Sequence, residues 1–347
     1  MTEAHEGVSR RGFVKSLAAG AGAGAVNIAT PAAAQQSAVM AEATSEDYVR
    51  DPARWGNQEV AALFPGFKHL DMRTKGAVIR LRHGGSGPPL LLLHGNPRNH
   101  VTWHGLAARL AQHYHVVLPD LRGYGDSSLP EPSPNHINYS FRAMAQDTVE
   151  VMENLGDQRF FLAGNDRGAR TSHRLCLDHP DRVMKVCLLD SVPTYYEWTH
   201  ADKNWAVRDW HWTFMAQPEP FPETLMSAVP AEWFLRVRGG GNAVPKAVFD
   251  EYVRCFTKKT ITGSCRDYRA GATIDFEMDS ADKERKIGMP LLLIWATRGA
   301  PASPETSKMW PSFASNIVGT PSLPTGHHMQ EEAPNEIYEH FIKFFTG

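Results

Sequence analysis

The stretch that decides the fold is RFFLAGNDRGARTSHRLCLDH, Arg159 to His179. Arg159 to Ala163 is a short apolar run of strand type, and the residues from Thr171 onward carry a helical pattern. Between them GNDRGAR, Gly164 to Arg170, sets Asp166 in a strand-to-helix turn with Gly164 and Gly168 on either side. A cramped turn of this kind holds one side chain out at the top of a sheet, a placement suited to a nucleophile. A serine there would attack esters, whereas an aspartate can attack a saturated carbon and form an ester with its own carboxylate. The plainer explanation is an aspartate N-cap on an ordinary helix, since Asp is favoured at that position.

The surroundings favour the nucleophile. LLLLHGNP, Leu90 to Pro97, is a buried-strand run ending in His94-Gly95, and PDLRGYGDSS, Pro119 to Ser128, follows a second run, HVVLP. PTGHH, Pro324 to His328, puts a histidine after one more short strand. Strand candidates at Phe67 to Arg73, Ala77 to Arg82, Leu90 to His94, His115 to Pro119, Arg159 to Ala163 and Lys185 to Leu189 alternate with helical stretches. From Ser191 to about Lys286 the character changes to Trp- and Tyr-rich helical segments, and the sheet pattern resumes at Pro290 to Ala296 before a closing helix, Pro334 to Phe345. Such alternation predicts an α/β fold with a mostly parallel sheet covered by helices on both faces and an inserted helical cap. Ligands of these sheets bind at the carboxyl ends of the strands, where all the motifs above fall. The order nucleophile, acid, histidine is that of the α/β-hydrolase fold.

A chain of 347 residues, 42% hydrophobic with a formal net charge of −2, suits a globular enzyme. No basic patch interleaved with aromatics points to nucleic acid, no repeat stands out, and no apolar run is long enough to span a membrane. The amino-terminal region is different. SRRGFVK, Ser9 to Lys15, is a twin-arginine motif, followed by LAAGAGAGAV and a small-residue cleavage pattern at Ala32 to Ala34. Export to the periplasm is the expectation. Residues 1–34 are then a signal peptide, 35–52 a polar lead-in, 53–190 and 287–347 the two parts of the core, and 191–286 the cap. Cys255 and Cys265 lie close enough in sequence for a disulfide in an oxidising compartment, while Cys176 and Cys187 fit a core. No cysteine or histidine spacing matches a metal site.

From about Ala53 to the end the chain resembles the α/β-hydrolase dehalogenases, and within them the fluoroacetate (haloacetate) dehalogenases. The resemblance rests on HGNPRNHVTWH, DLRGYGDSS, GNDRGAR, LLDSVPTYYEW, WHWTFMAQP, CRDYRAGA and GHHMQEEAP. It implies displacement of halide by Asp166, then hydrolysis of the aspartyl ester by water activated by His327, with Asp190 orienting the histidine. Asp190 ends the strand KVCLL, whereas the competing acid, Glu305, lies far into a loop. Arg167 and Arg170, one helical turn apart, are implied to bind the substrate carboxylate, although composition alone would make them surface residues. His211, Trp212 and Tyr268 are implied to hold the halide, with lid packing as the plain alternative. The backbone N–H groups of Asn96 and Arg167 are implied to stabilise the oxyanion.

Two positions depart from the family pattern. Asn165 stands where a histidine is expected before the nucleophile, and Asn96 where an aromatic is more usual; both are expected to make the pocket rim more polar. Neither cofactor nor metal is required. Expected partners are a small haloacid, the twin-arginine export machinery and, as an open option, a second copy of the chain. An epoxide hydrolase would share the Asp and His but use two lid tyrosines, for which Tyr195 and Tyr196 beside Tyr268 keep the alternative open. A non-catalytic periplasmic binder of small carboxylates is a third option.

Overall fold

The computed structural model describes residues 58–229, 234–236, 244–298 and 306–347. The expected leader, the lead-in and Glu305 lie outside the described residues. Among the described residues nine strands form one sheet: β1 (Lys68–Arg73), β2 (Val78–Gly84), β3 (Pro89–Leu93), β4 (His115–Pro119), β5 (Phe160–Asn165), β6 (Val183–Leu189), β7 (Leu291–Ala296), β8 (Ile317–Gly319) and β9 (Ser322–Leu323). The order is β1-β2-β4-β3-β5-β6-β7-β8, with β9 also on β7. β1 pairs antiparallel with β2 and β2 with β4, and every later pairing is parallel.

The unbroken apolar runs follow from burial on both faces. Leu90 and Leu92 of β3 face one core cluster, and Leu91 and Leu93 face the other. Cys187 and Leu189 of β6 join the first, Val186 and Leu188 the second. The first cluster is closed by Phe341 and Phe345 of the terminal helix Pro334–Thr346 and continues into cap residues such as Trp212, Tyr252 and Tyr268. The second is closed by Met144 and Met152 of the helix Phe141–Asn154 and by Leu175 of the helix Arg167–Asp178. Between β6 and β7 the regular elements among the described residues are helices, including Thr194–Thr199, Lys203–Arg208, His211–Met215, Lys246–Cys255 and Lys258–Ala272. None of the described helices is long and apolar enough to cross a membrane.

Cys255 and Cys265 are both free and buried, so the disulfide that their spacing leaves open is not formed. Cys255 ends its helix beside Glu251, while Cys265 points from the next helix toward Met226. The two thiols are turned to different neighbours.

Candidate active site

Asp166 follows β5 at φ 54° and ψ −119°, a conformation L residues seldom adopt, so the surrounding turn must enforce it. Two glycines permit the turn. A Cβ on Gly95 would run into the Asp166 side chain, and one on Gly168 into the carbonyls of Leu93 and His94. Asp166 precedes the helix without capping it through its side chain. Its carboxylate turns to the site: Oδ1 accepts the Asn96 N–H at 2.7 Å, and Oδ2 lies 3.4 Å from His327 Nε2. Burial opposes the charge, but His327, Arg167 and the Asn96 N–H hold Asp166 well below the usual carboxylate range. Arg167 begins the helix, so its backbone N–H has no acceptor within that helix.

Asp190 follows β6, also at positive φ, 47°. Its Oδ2 bonds His327 Nδ1 at 2.6 Å, and its Oδ1 accepts from the Ala296 N–H at 3.2 Å. His327 therefore spans both carboxylates. Burial pushes its pKa down, yet the hydrogen bonds to Asp166 and Asp190 outweigh that and raise it to about 10. The neighbouring His328 is buried, turns its Nδ1 to Asn165 Oδ1 at 3.3 Å, and is pushed far below the ordinary histidine range.

Around these groups lies a cavity of about 200 Å³, walled in part by Asn96, Arg170, Glu197, His211, Trp212 and Tyr268. The aromatic rings meet edge to face, His211 to Tyr268 at 5.7 Å and Trp212 to Tyr268 at 5.4 Å. Arg170 is buried over the Trp212 ring at 4.6 Å and donates from Nη2 to Glu197 at 2.8 Å. Among the described residues its Nε and Nη1 have no hydrogen-bond partner. Either is a charged donor of the kind an anion accepts from.

Three placements differ from the sequence reading. Arg167 is not among the residues that wall the cavity, although its Nη1 has no partner among the described residues. Its guanidinium is fully buried, bonded through Nε to Asp267 Oδ2 at 2.8 Å and through Nη2 to the same carboxylate, and lies over the rings of Phe141 and Tyr268. The first side chain of the helix thus runs beneath the cap, and Arg170 alone of the two lines the cavity. Asn165 is not on the rim either, being fully buried beneath the catalytic loops. The third concerns the tyrosines, since Tyr195 stacks on Phe276 and Tyr196 on His200, both outside the wall. Asn96 does line the cavity, with Nδ2 3.4 Å from Tyr268 Oη.

Glu197 and Asp267, the partners of the two arginines, have little to mark them in the sequence: each is a lone carboxylate beside an aromatic, in YYEW and CRDY. The donors most able to gather a cation among the described residues are Asp126, Glu251 and Cys255. Arg254 already bridges those two carboxylates, at 2.7 Å to Asp126 and 2.5 Å to Glu251.

A family model described as alpha/beta hydrolase fold matches residues 88–334. The chain is 42% identical over 281 residues to the fluoroacetate dehalogenase of Burkholderia sp, covering 79% of this chain and 92% of that one. It is 27% identical over 270 residues to the soluble epoxide hydrolase of Corynebacterium sp. (strain C12), covering 76% and 91% respectively. The crystal structure of ALR0039 from Nostoc sp PCC 7120 is similar with a TM-score of 0.78 at 45% identity, over 81% of this chain and 98% of that chain.

Proposed function

The chain belongs to the α/β-hydrolase family, and from that premise we propose that it hydrolyses haloacetates, fluoroacetate to glycolate and halide among them, through an ester on Asp166. The observation that carries the proposal is Arg170: a buried guanidinium in the wall of the small cavity that holds Asp166, with donors that have no partner among the described residues. A substrate carboxylate is the acceptor such a charged donor favours.

With the substrate anion on Arg170, the carbon bearing the halogen faces Asp166. Asn96 already engages Oδ1, which leaves Oδ2 to attack. The new C–O bond forms as the carbon–halogen bond breaks, and halide leaves toward His211, Trp212 and Tyr268. Fluoride, small and hard, gains most from such directed donors. Ester formation removes the Asp166 charge, so His327 loses one of the two carboxylates that kept it protonated. Its pKa falls, it gives its proton to solvent, and it can then accept one from water attacking Asp166 Cγ. Asp190 stabilises the imidazolium that forms, and the Asn96 and Arg167 N–H groups receive the oxyanion. The intermediate collapses as the bond from Cγ to the glycolate oxygen breaks and the imidazolium proton passes to that oxygen, freeing glycolate and leaving the Asp166 carboxyl, whose proton returns to His327. In sum, haloacid and water give hydroxyacid, halide and a proton.

The runner-up is an epoxide hydrolase, which shares the nucleophile and base. Of Tyr195, Tyr196 and Tyr268, only Tyr268 lines the cavity, which weighs against a two-tyrosine ring opening. A halide-selective electrode with fluoro-, chloro- and bromoacetate, run beside a simple epoxide, tests the choice. Diol formation without halide release would overturn the dehalogenase. Tight carboxylate binding with no turnover would favour the binder.

Export by the twin-arginine route to the periplasm is also proposed, supported by SRRGFVK and the cleavage pattern. Replacing Arg10 and Arg11 with Lys should leave the precursor in the cytoplasm, and an unchanged periplasmic yield would refute it. Self-association through the cap is a further proposal, supported by exposed Val207, Phe221 and Leu225 and testable by sedimentation.

A further inference from the structure

Asn165 ends β5 and stands immediately before the nucleophile, fully buried. All four of its side-chain bonding positions are used. Nδ2 donates to the carbonyl of His327 at 3.0 Å and to that of Leu189 at 3.2 Å. Oδ1 accepts from His328 Nδ1 and from Gln330 Nε2, each at 3.3 Å. Leu189 is the residue before Asp190 and sits directly opposite Asn165 in the β5–β6 pairing. One amide therefore joins the backbones beside the nucleophile, the acid and the base. Gln330 extends the tie by donating to Thr102 Oγ1 at 2.8 Å.

We propose that Asn165 is a positioning residue that sets the His327 loop in register with Asp190, through its paired donation to the Leu189 and His327 carbonyls. Asp166 and Asp190 stand at the ends of paired parallel strands, so their separation is fixed by the sheet. His327 has no such support: it lies in a loop between β9 and the short helix Met329–Glu332. Its ring position depends on what fixes the loop, and the Asn165 amide is a direct link from that loop to the strand ends. The residue type suits the task. An amide NH2 can serve two carbonyls at once, whereas a neutral histidine in the same place has one N–H to give.

This inference rests on the proposed two-step reaction and predicts that the steps separate. Asp166 attack needs the elbow and Asn96, neither of which depends on the Asn165 amide; ester hydrolysis needs the His327–Asp190 geometry. In Asn165→Ala the rate of the halide burst from chloroacetate should stay within about threefold of wild type. Steady-state turnover should fall on the order of tenfold to a hundredfold, the cost of a misplaced catalytic group. The ester on Asp166 should then accumulate and be visible by mass spectrometry of the protein.

Asn165→Asp keeps the shape, removes the paired donation and should show the same split. Gln330→Ala loosens only the acceptor side and should show a smaller one. Equal loss of burst and turnover in folded Asn165→Asp, or no loss in either step, would overturn the inference. A second readout needs no substrate. The low-field proton resonance of the His327–Asp190 hydrogen bond should be present in wild type and lost to exchange in the Asn165 variants, and its persistence would also overturn the inference. Wild-type protein that released no halide from any haloacetate would instead refute the proposed reaction, leaving the resonance test to decide the role of Asn165.

Discussion

Replacing Arg170 with Lys keeps the charge and removes the spread of donors. Arg170 donates from Nη2 to Glu197, and under the proposed function one of its remaining nitrogens, without a partner among the described residues, meets the substrate. A lysine has a single nitrogen at the end of its chain, and the buried Glu197 carboxylate competes for it. At least one charge-assisted hydrogen bond to the substrate is lost, typically worth about 1.5 to 3 kcal/mol. At 1.36 kcal/mol per decade, kcat/KM for chloroacetate should fall roughly 10- to 150-fold. The carboxylate is charged both before and during displacement, so most of the loss should appear in KM. Chloroacetamide offers the same reacting carbon without the anion, and its rate should change by no more than about threefold. Halide release at a range of substrate concentrations supplies both numbers. Arg170→Gln alone would leave Glu197 buried and unpaired and confuse binding with folding. The double change Arg170→Gln with Glu197→Gln is therefore the control, and it should match the lysine variant or exceed it in loss of affinity. Equal losses for the acid and the amide in folded protein would refute the carboxylate clamp.

Other consequences are as direct. His327→Asn should permit displacement and block hydrolysis, so the Asp166 adduct should be trapped and found by mass spectrometry; turnover at the wild-type rate would remove His327 from the mechanism. Trp212→Phe, His211→Ala and Tyr268→Phe should each slow fluoroacetate far more than bromoacetate, with about a hundredfold typical for one deleted donor of this kind, and proportional losses for both substrates would return the trio to lid packing. The hydrogen bonds to Asp166 and Asp190 raise the His327 pKa from 6.5 to about 10, so the stability they contribute is fully present below pH 6.5 and lost as pH rises through about 10. The melting temperature should decline across that window in wild type and decline less in His327→Gln. Arg167→Leu should lower stability by about 3 to 5 kcal/mol by leaving Asp267 unpaired, read from denaturant midpoints; an unchanged midpoint would contradict the buried pairing.

The parallel sheet was legible because its strands are apolar on both faces, and runs such as LLLL and KVCLL have few other uses. Its short outer strand β8 was not, since three residues of partly exposed chain carry no periodicity. Asp166, Asp190 and His327 could be found because each stands beside a strand end or glycine turn that the local sequence marks. Side-chain direction could not. Arg167 and Arg170 share a helix, yet one runs beneath the cap to Asp267 and the other reaches the cavity, a choice made by cap residues about a hundred positions away. Asn165 was misplaced for a related reason. Alternation along β5 says only that it leaves the opposite face from its neighbours, not that three loops meet there.

The pairing of Arg170 with Glu197 also bears on how a cycle ends. Substrate and glycolate carry the same carboxylate, so a clamp that grips one grips the other, and affinity gained on entry would be repeated as delay on exit. Because Glu197 keeps one arm of the guanidinium engaged throughout, the departing acid leaves two nitrogens to rehydrate and not an isolated buried cation. On the proposed clamp, turnover under accumulating product then depends on a residue that never touches the reacting carbon.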